Sequence, residues 1–236
     1  MAPGRPALII AVVGKKGSGK TRLIEELVRR LGEAGYKVST AKHIPEEGFS
    51  IDTPGKDTWR HAEAGAMTVM IVAPEEMSLI KRLRGREPSF GEMISLASHG
   101  EPDVLIMEGF RSIVGRRLDV PKVVLVSGPD EAKAILEEGS IRPILAFIGP
   151  GEARGLKVPY LGFGDVGSLV DMIRERVEEA RKRRGAARLL VDGVEVPLNP
   201  FVSEVLRRTV LAFVSCLRGV DIKGDEHIEV SVRKAR

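Results

Sequence analysis

Near the amino terminus, Gly14-Lys15-Lys16-Gly17-Ser18-Gly19-Lys20-Thr21 follows the pattern G-x-x-x-x-G-K-[ST]. Glycines at those places let the backbone curl so that its N–H groups point inward at anionic oxygens. A helix starting at the end of the loop adds the positive end of its dipole. In such a loop Lys20 reaches the β- and γ-phosphates of a nucleoside triphosphate and Thr21 offers a hydroxyl to Mg2+. A magnesium ion needs further oxygen ligands, and carboxylates near strand ends are the natural source. Glu108 closes the apolar run Val104-Leu105-Ile106-Met107 and is followed by Gly109, which puts it at the carboxyl edge of a sheet. Asp52 and Asp57 flank Thr53-Pro54-Gly55-Lys56, a stretch rich in turn residues. Either can ligate the metal, and either can cap a helix starting near Thr58. Lys42-His43 ends another apolar run, so Lys42 can approach the phosphates from the opposite side. Histidines at 43, 61, 99 and 227 show no metal-ligand spacing. Arg60, Arg111, Arg116 and Arg117 can meet an anionic substrate or a partner, although a solvated face is the ordinary place for an arginine.

Those residues need a scaffold that gathers strand ends. Apolar runs that read as buried strands recur at 8–13, 38–41, 68–72, 104–107, 123–126 and 144–148, with helix-like segments between them. That alternation predicts a parallel sheet with crossover helices. Leu23, Ile24, Leu27, Val28 and Leu31 share one helical face before Gly32 and Gly35 end the first helix. A second face runs through Leu169, Ile173 and Val177, and its solvated side carries Arg174, Glu175, Glu178 and Arg181. After the basic run 181–184 the pattern changes, so residues 1–184 are expected to form the nucleotide-binding domain and 185–236 a small α+β extension. In the extension, two short apolar runs flank Asp192-Gly193, a hairpin signal. A helix follows from Asn199-Pro200 through Val202, Leu206, Val210, Phe213 and Leu217, and a strand is expected at 228–232. About fifty residues of this kind bury too little to stand alone, so packing on the main domain or on a second copy is expected.

The totals agree with one α/β domain and an appendage in a chain of 236 residues. A single cysteine, Cys216, excludes an internal disulfide framework and any thiolate metal cluster. The first apolar run leads straight into the glycine loop, with no stretch near the ~20 residues that span a bilayer. A cytoplasmic protein without a membrane is the expectation. The net charge of +4 owes much to Arg181, Lys182, Arg183 and Arg184, which a basic helix end explains, so no nucleic-acid partner is expected.

Several segments taken in order resemble one family: the loop ending in Ser18-Gly19-Lys20-Thr21, Lys42-His43, Asp52-Thr53-Pro54-Gly55-Lys56-Asp57, Ala64-Gly65-Ala66 and Glu108-Gly109-Phe110. They look like the molybdopterin-guanine dinucleotide biosynthesis protein B family, over roughly residues 8 to 180. The resemblance implies a P-loop NTPase fold, a mostly parallel sheet flanked by helices. It further implies GTP and Mg2+ as ligands, at most weak GTPase activity, and a homodimer acting beside a molybdenum cofactor guanylyltransferase on a molybdopterin-type ligand. It also assigns roles. Residues 14–21 (Gly14, Lys15, Lys16, Gly17, Ser18, Gly19, Lys20 and Thr21) bind the nucleotide, Thr21, Asp57 and Glu108 hold the metal, and Lys20, Lys42 and Asp57 assist the chemistry. Likeness to dethiobiotin synthetase, with its helix-start aspartate, moves the choice from Asp52 toward Asp57. The chain departs from the pattern after the strand at 144–148, where Gly149-Pro150-Gly151-Glu152 stands and related sequences often carry an aspartate. No Asn-Lys-x-Asp guanine signature occurs, so guanine preference comes from the resemblance alone. The rival reading is a small-molecule kinase or ATP-dependent ligase of the same fold, with Lys42 and the arginines holding an acceptor.

Overall fold

The computed structural model describes residues 6–183, 187, 189–191, 194–217 and 228. It divides into two compact units, residues 1–42 together with 90–236, and residues 43–89. The boundary expected between 184 and 185 falls outside the described residues.

In the larger unit, β1 (Leu8–Val13) runs into the glycine loop and then α1 (Lys20–Glu33). This helix stops where the glycines predict. Gly35 takes a φ of +84°, its amide donates to Gly32 O, and the Tyr36 amide donates to Leu31 O. That paired return of amides to the last turn needs a left-handed residue, which glycine adopts without strain. The chain continues through β2 (Val38–Lys42) and leaves for the smaller unit, which holds α2 (Asp57–Glu63), β3 (Thr68–Val72) and β4 (Met77–Lys81). It returns with α3 (Phe90–Ala97), β5 (Val104–Glu108), the short α4 (Arg111–Val114), β6 (Lys122–Leu125) and α5 (Pro129–Glu138). Then come β7 (Ile144–Ile148), β8 (Tyr160–Leu161) and α6 (Val166–Arg183).

The main sheet of this unit has six strands ordered β2-β5-β1-β6-β7-β8, all parallel. Helices cover both faces, so the central strands are apolar throughout rather than alternating. The strand period still sorts them. Ile10 and Val12 pack with Leu27 of α1 and Leu169 of α6, whereas Ile9, Ala11 and Val13 pack with Ile94 of α3 and Ala132 of α5. Lys122 carries a charge into this interior. The Lys122 ammonium donates to the carbonyls of Arg117 and Arg142, at 2.7 and 2.6 Å, and burial pushes its pKa down to about 8.

The run at 68–72 is a strand, but not a member of that sheet. It pairs antiparallel with β4 as a separate two-stranded ribbon, and Met70 and Val72 on one face are exposed. A continuous apolar run marks a strand without saying what it pairs with, which is why the run reads, from sequence, as part of the parallel sheet.

Beyond α6, β9 (Leu189–Val191) and β10 (Val194–Val196) form the expected antiparallel hairpin, and α7 (Pro200–Ser215) follows. Asn199 caps α7, its side-chain oxygen accepting from the Val202 amide at 2.8 Å. The turn at Asp192-Gly193 and all of the strand expected at 228–232 except Ile228 lie outside the described residues. Among the described residues no helix is long and apolar enough to cross a membrane.

Candidate functional site

The glycine loop sits between β1 and α1 at the carboxyl edge of the sheet, beside the point where the strand order reverses. That crevice is where open α/β sheets bind ligands. Gly14 is required by close approach, since a Cβ there would stand 2.9 Å from Leu125 O and 2.9 Å from Ser18 Oγ. Gly17 and Gly19 take φ values of +78° and +92°. Gly19 caps α1 with no side chain to receive the helix's first amides, and the first turn holds no acidic residue. The positive end of the helix dipole is therefore left to a ligand. Lys20 spans the loop, its ammonium donating to Gly14 O at 2.9 Å and Lys15 O at 2.6 Å. The Ser18 hydroxyl is buried in the loop with no hydrogen-bond partner.

Strand register supplies the rest of the site. β5 pairs with both β1 and β2, placing Glu108 opposite Val12 on one side and Lys42 on the other. Glu108 Oε1 accepts from Thr21 Oγ1 at 3.1 Å and lies 3.6 Å from Lys42 Nζ. Gly109, at a φ of +83°, then turns the chain and donates to Val12 O. An open groove of about 510 Å³ adjoins these groups, lined by Thr21, Ile24, Val28, Ala41, Lys42 and Glu108 among others. A hydroxyl and a carboxylate oxygen side by side are hard donors, the type that Mg2+ takes. They fit such an ion. Among the described residues no three histidine, cysteine or acidic side chains gather to hold a metal.

Lys15 and Lys16 are exposed on the loop. Lys15 Nζ lies 2.9 Å from Glu131 Oε1 in the first turn of α5. The Ser127 hydroxyl and amide both donate to Glu131, at 2.7 Å each. Those bonds, with Lys15 adding to them, hold the Glu131 carboxyl down at about 2. Arg117 is spent on structure: it lies over the Phe90 ring at 3.8 Å and bonds Asp119 at 2.8 Å. Arg111 Nη2 donates to Ser140 Oγ at 3.4 Å.

Asp52 and Asp57 belong to the smaller unit and differ sharply there. The Asp52 side chain is only 5% exposed; its Oδ1 accepts from the Thr53 amide at 3.0 Å and the Thr58 hydroxyl at 2.7 Å. Its Oδ2 lies 3.6 Å from Arg82, whose guanidinium covers the Trp59 ring at 4.5 Å. Asp57 is the first residue of α2, 89% exposed, with Arg60 one turn on at 3.9 Å. Asp52 is thus an internal anchor and Asp57 a surface carboxylate. Thr21, Lys42 and Glu108 converge within the larger unit.

The family model for molybdopterin guanine dinucleotide synthesis protein B, MobB, matches residues 9–148. The chain belongs to that family. A Methanocaldococcus jannaschii relative named for the molybdopterin-guanine dinucleotide biosynthesis adapter role is 28% identical, over 97% of this chain and 99% of its own. The Escherichia coli adapter protein of that name is 25% identical, over 75% of this chain and 95% of its own. The crystal structure of Bacillus subtilis MobB superposes with a TM-score of 0.54 at 27% identity, covering 72% of this chain and 97% of that one.

Sequence reasoning missed three features of this MobB family member. Glu131 as the partner of Lys15 carried no local signal beyond an acidic first turn. Arg82 as the counter-charge of Asp52 lies outside every motif. Phe163 follows the short strand β8, stands between Gly162 and Gly164, and faces Gly19 of the loop: a Cβ on Gly19 would meet its ring at 3.5 Å. A bulky ring flanked by glycines at a strand end was the available clue.

Proposed function

We propose that the chain is a GTP-binding accessory of molybdopterin guanine dinucleotide assembly, hydrolysing GTP slowly with Mg2+ as a cytoplasmic homodimer beside a guanylyltransferase. The observation that carries this reading is the meeting of Thr21, Lys42 and Glu108 at the mouth of the glycine loop. The family supports the pathway, and the names of its relatives support the adapter role.

In this reading the loop amides and Lys20 grip the β- and γ-phosphates, exchanging the carbonyl contacts of Lys20 for phosphate oxygens. Thr21 and Glu108 would hold Mg2+, with Asp57 in the metal role that the family resemblance gives it; the ion would supply charge neutralisation to the phosphates. Lys42 adds a second cation on the β2 side. Glu108, engaged by Thr21 and Lys42, is poorly set to take a proton from water, which supports slow turnover.

Competition between GTP and ATP with Mg2+ present tests the base preference, which is expected to favour GTP by about tenfold or more. Equal affinities, together with rapid ATP use on adding a metabolite acceptor, would favour a kinase or ligase instead. Glu108→Gln should weaken Mg2+-dependent GTP binding and hydrolysis more than metal-free GDP binding. Equal losses under both conditions remove Glu108 from the metal shell.

A further inference from the structure

We propose that Phe163 is the platform on which the base of the bound nucleotide stacks, an inference that rests on the glycine loop holding the phosphates. The polarity of the site fixes where a base must lie. Glu108 and Lys42 stand on β5 and β2, both to one side of β1, and the Thr21 hydroxyl reaches to that side. The metal-bearing end of a triphosphate therefore faces β5, and ribose and base leave the loop on the other side, over β6, β7 and β8. The residues on offer there are the turns that follow those three strands.

In the turn after β8 stands Phe163, 50% exposed, its ring edge 3.5 Å from where a Cβ on Gly19 would stand, at the point where the loop becomes α1. A single half-exposed phenylalanine is ordinary on a surface. This one is fixed beside an anion cradle. The Gly162 amide donates to Asp165 Oδ2 at 3.1 Å and the Asp165 amide donates to Gly162 O at 3.0 Å, closing the turn that carries Phe163. Directly behind it α6 begins at Val166, buried in the core with Leu169 and Val170. The neighbouring turn is tied in as well. Tyr160 donates to Pro150 O at 2.7 Å, and Gly149 is held to glycine because a Cβ would strike the Tyr160 hydroxyl at 2.6 Å. A ring carried on a closed turn has less backbone freedom to lose when a base settles on it.

The chain offers no carboxylate in the Asn-Lys-x-Asp arrangement to read a guanine edge. Stacking on Phe163 then supplies the larger share of the affinity that the base adds to the phosphates. It favours purines, whose two fused rings cover more of the phenyl face than a pyrimidine does.

The test is calorimetric titration of the full chain, with Mg2+, by GTP and by inorganic tripolyphosphate, which has no base. Phe163→Ala is expected to weaken GTP by about 5- to 100-fold, the range for losing one stacked base, and to leave tripolyphosphate unchanged. Phe163→Trp should keep GTP affinity, and its added indole emission, taken against the wild-type Trp59 signal, should be quenched by GTP but not by tripolyphosphate. Full GTP affinity in Phe163→Ala would overturn the stacking role alone. A parallel loss of tripolyphosphate binding would also overturn it, making the ring a prop for the loop. A wild-type chain that binds neither ligand would sink the phosphate-loop reading itself.

Discussion

At the scale of single residues, the site is built from charges with specific partners, and each partner makes a distinct prediction. Lys20 is half-buried at the loop and contributes no core volume, so Lys20→Ala should abolish GTP binding in calorimetry while the far-UV circular dichroism stays that of the wild type. Lys15 is held by Glu131 rather than turned to the ligand. Glu131→Gln releases that charge beside the phosphates, and GTP affinity should rise by roughly 2- to 5-fold, the scale of one exposed ion pair. The same substitution has a pH signature. Glu131 titrates at about 2 when folded against an ordinary 4.5, so its contribution to stability is complete above about 4.5 and is lost as pH falls toward 2. In urea titrations across that window the Glu131→Gln variant should lose less stability than the wild type. The loop residues were legible from spacing alone, because phosphate binding by backbone amides demands glycines at set places. Glu131 was not, since nothing local marks which of many glutamates a lysine meets.

At the scale of elements, a single aspartate separates structure from chemistry in the loop before α2. By sequence Asp52 is as good a metal ligand as Asp57, since both flank the same turn. Burial against Arg82, with bonds from Thr53 and Thr58, gives Asp52 an architectural task instead. Asp52→Ala leaves Arg82 without its counter-charge and should cost about 1–3 kcal/mol in the stability of residues 43–89, with the emission of Trp59 shifting as its arginine cover loosens. Asp57→Asn should leave that stability within about 0.5 kcal/mol of wild type, as an exposed substitution does, and lower Mg2+-dependent GTP hydrolysis. If the two effects exchange places, the assignment of the aspartates is reversed. Elements with strong local rules were readable: α1 from its apolar face and terminal glycines, the β9–β10 hairpin from its paired apolar runs. Partner choice was not, and the run at 68–72 shows why. Its apolar residues fix a strand, while the ribbon with β4 depends on a segment that no pattern singled out.

At the scale of the whole molecule, the two units differ in how much core they own. Among residues 43–89 only Ala62 and Val69 are buried hydrophobics, whereas the larger unit fills both faces of its sheet. A unit with so little apolar burial opens at low free energy. Trp59, the sole tryptophan, reports on it. In guanidinium titration its emission should change at a lower midpoint than the far-UV signal dominated by the larger unit; coincident curves would mean that the chain unfolds as one. The sequence by itself determined the phosphate loop, the helix behind it and the parallel α/β class, because these follow from contacts between near neighbours and from the period of apolar residues. Only the tertiary structure decided that Glu108 meets Thr21, that Lys42 ends beside Glu108, that Asp52 is buried with Arg82, and that Phe163 comes near Gly19. Each of those contacts joins residues that the chain itself does not make neighbours. Strand order, register and turn geometry decide them, and a local pattern of residue types encodes none of the three.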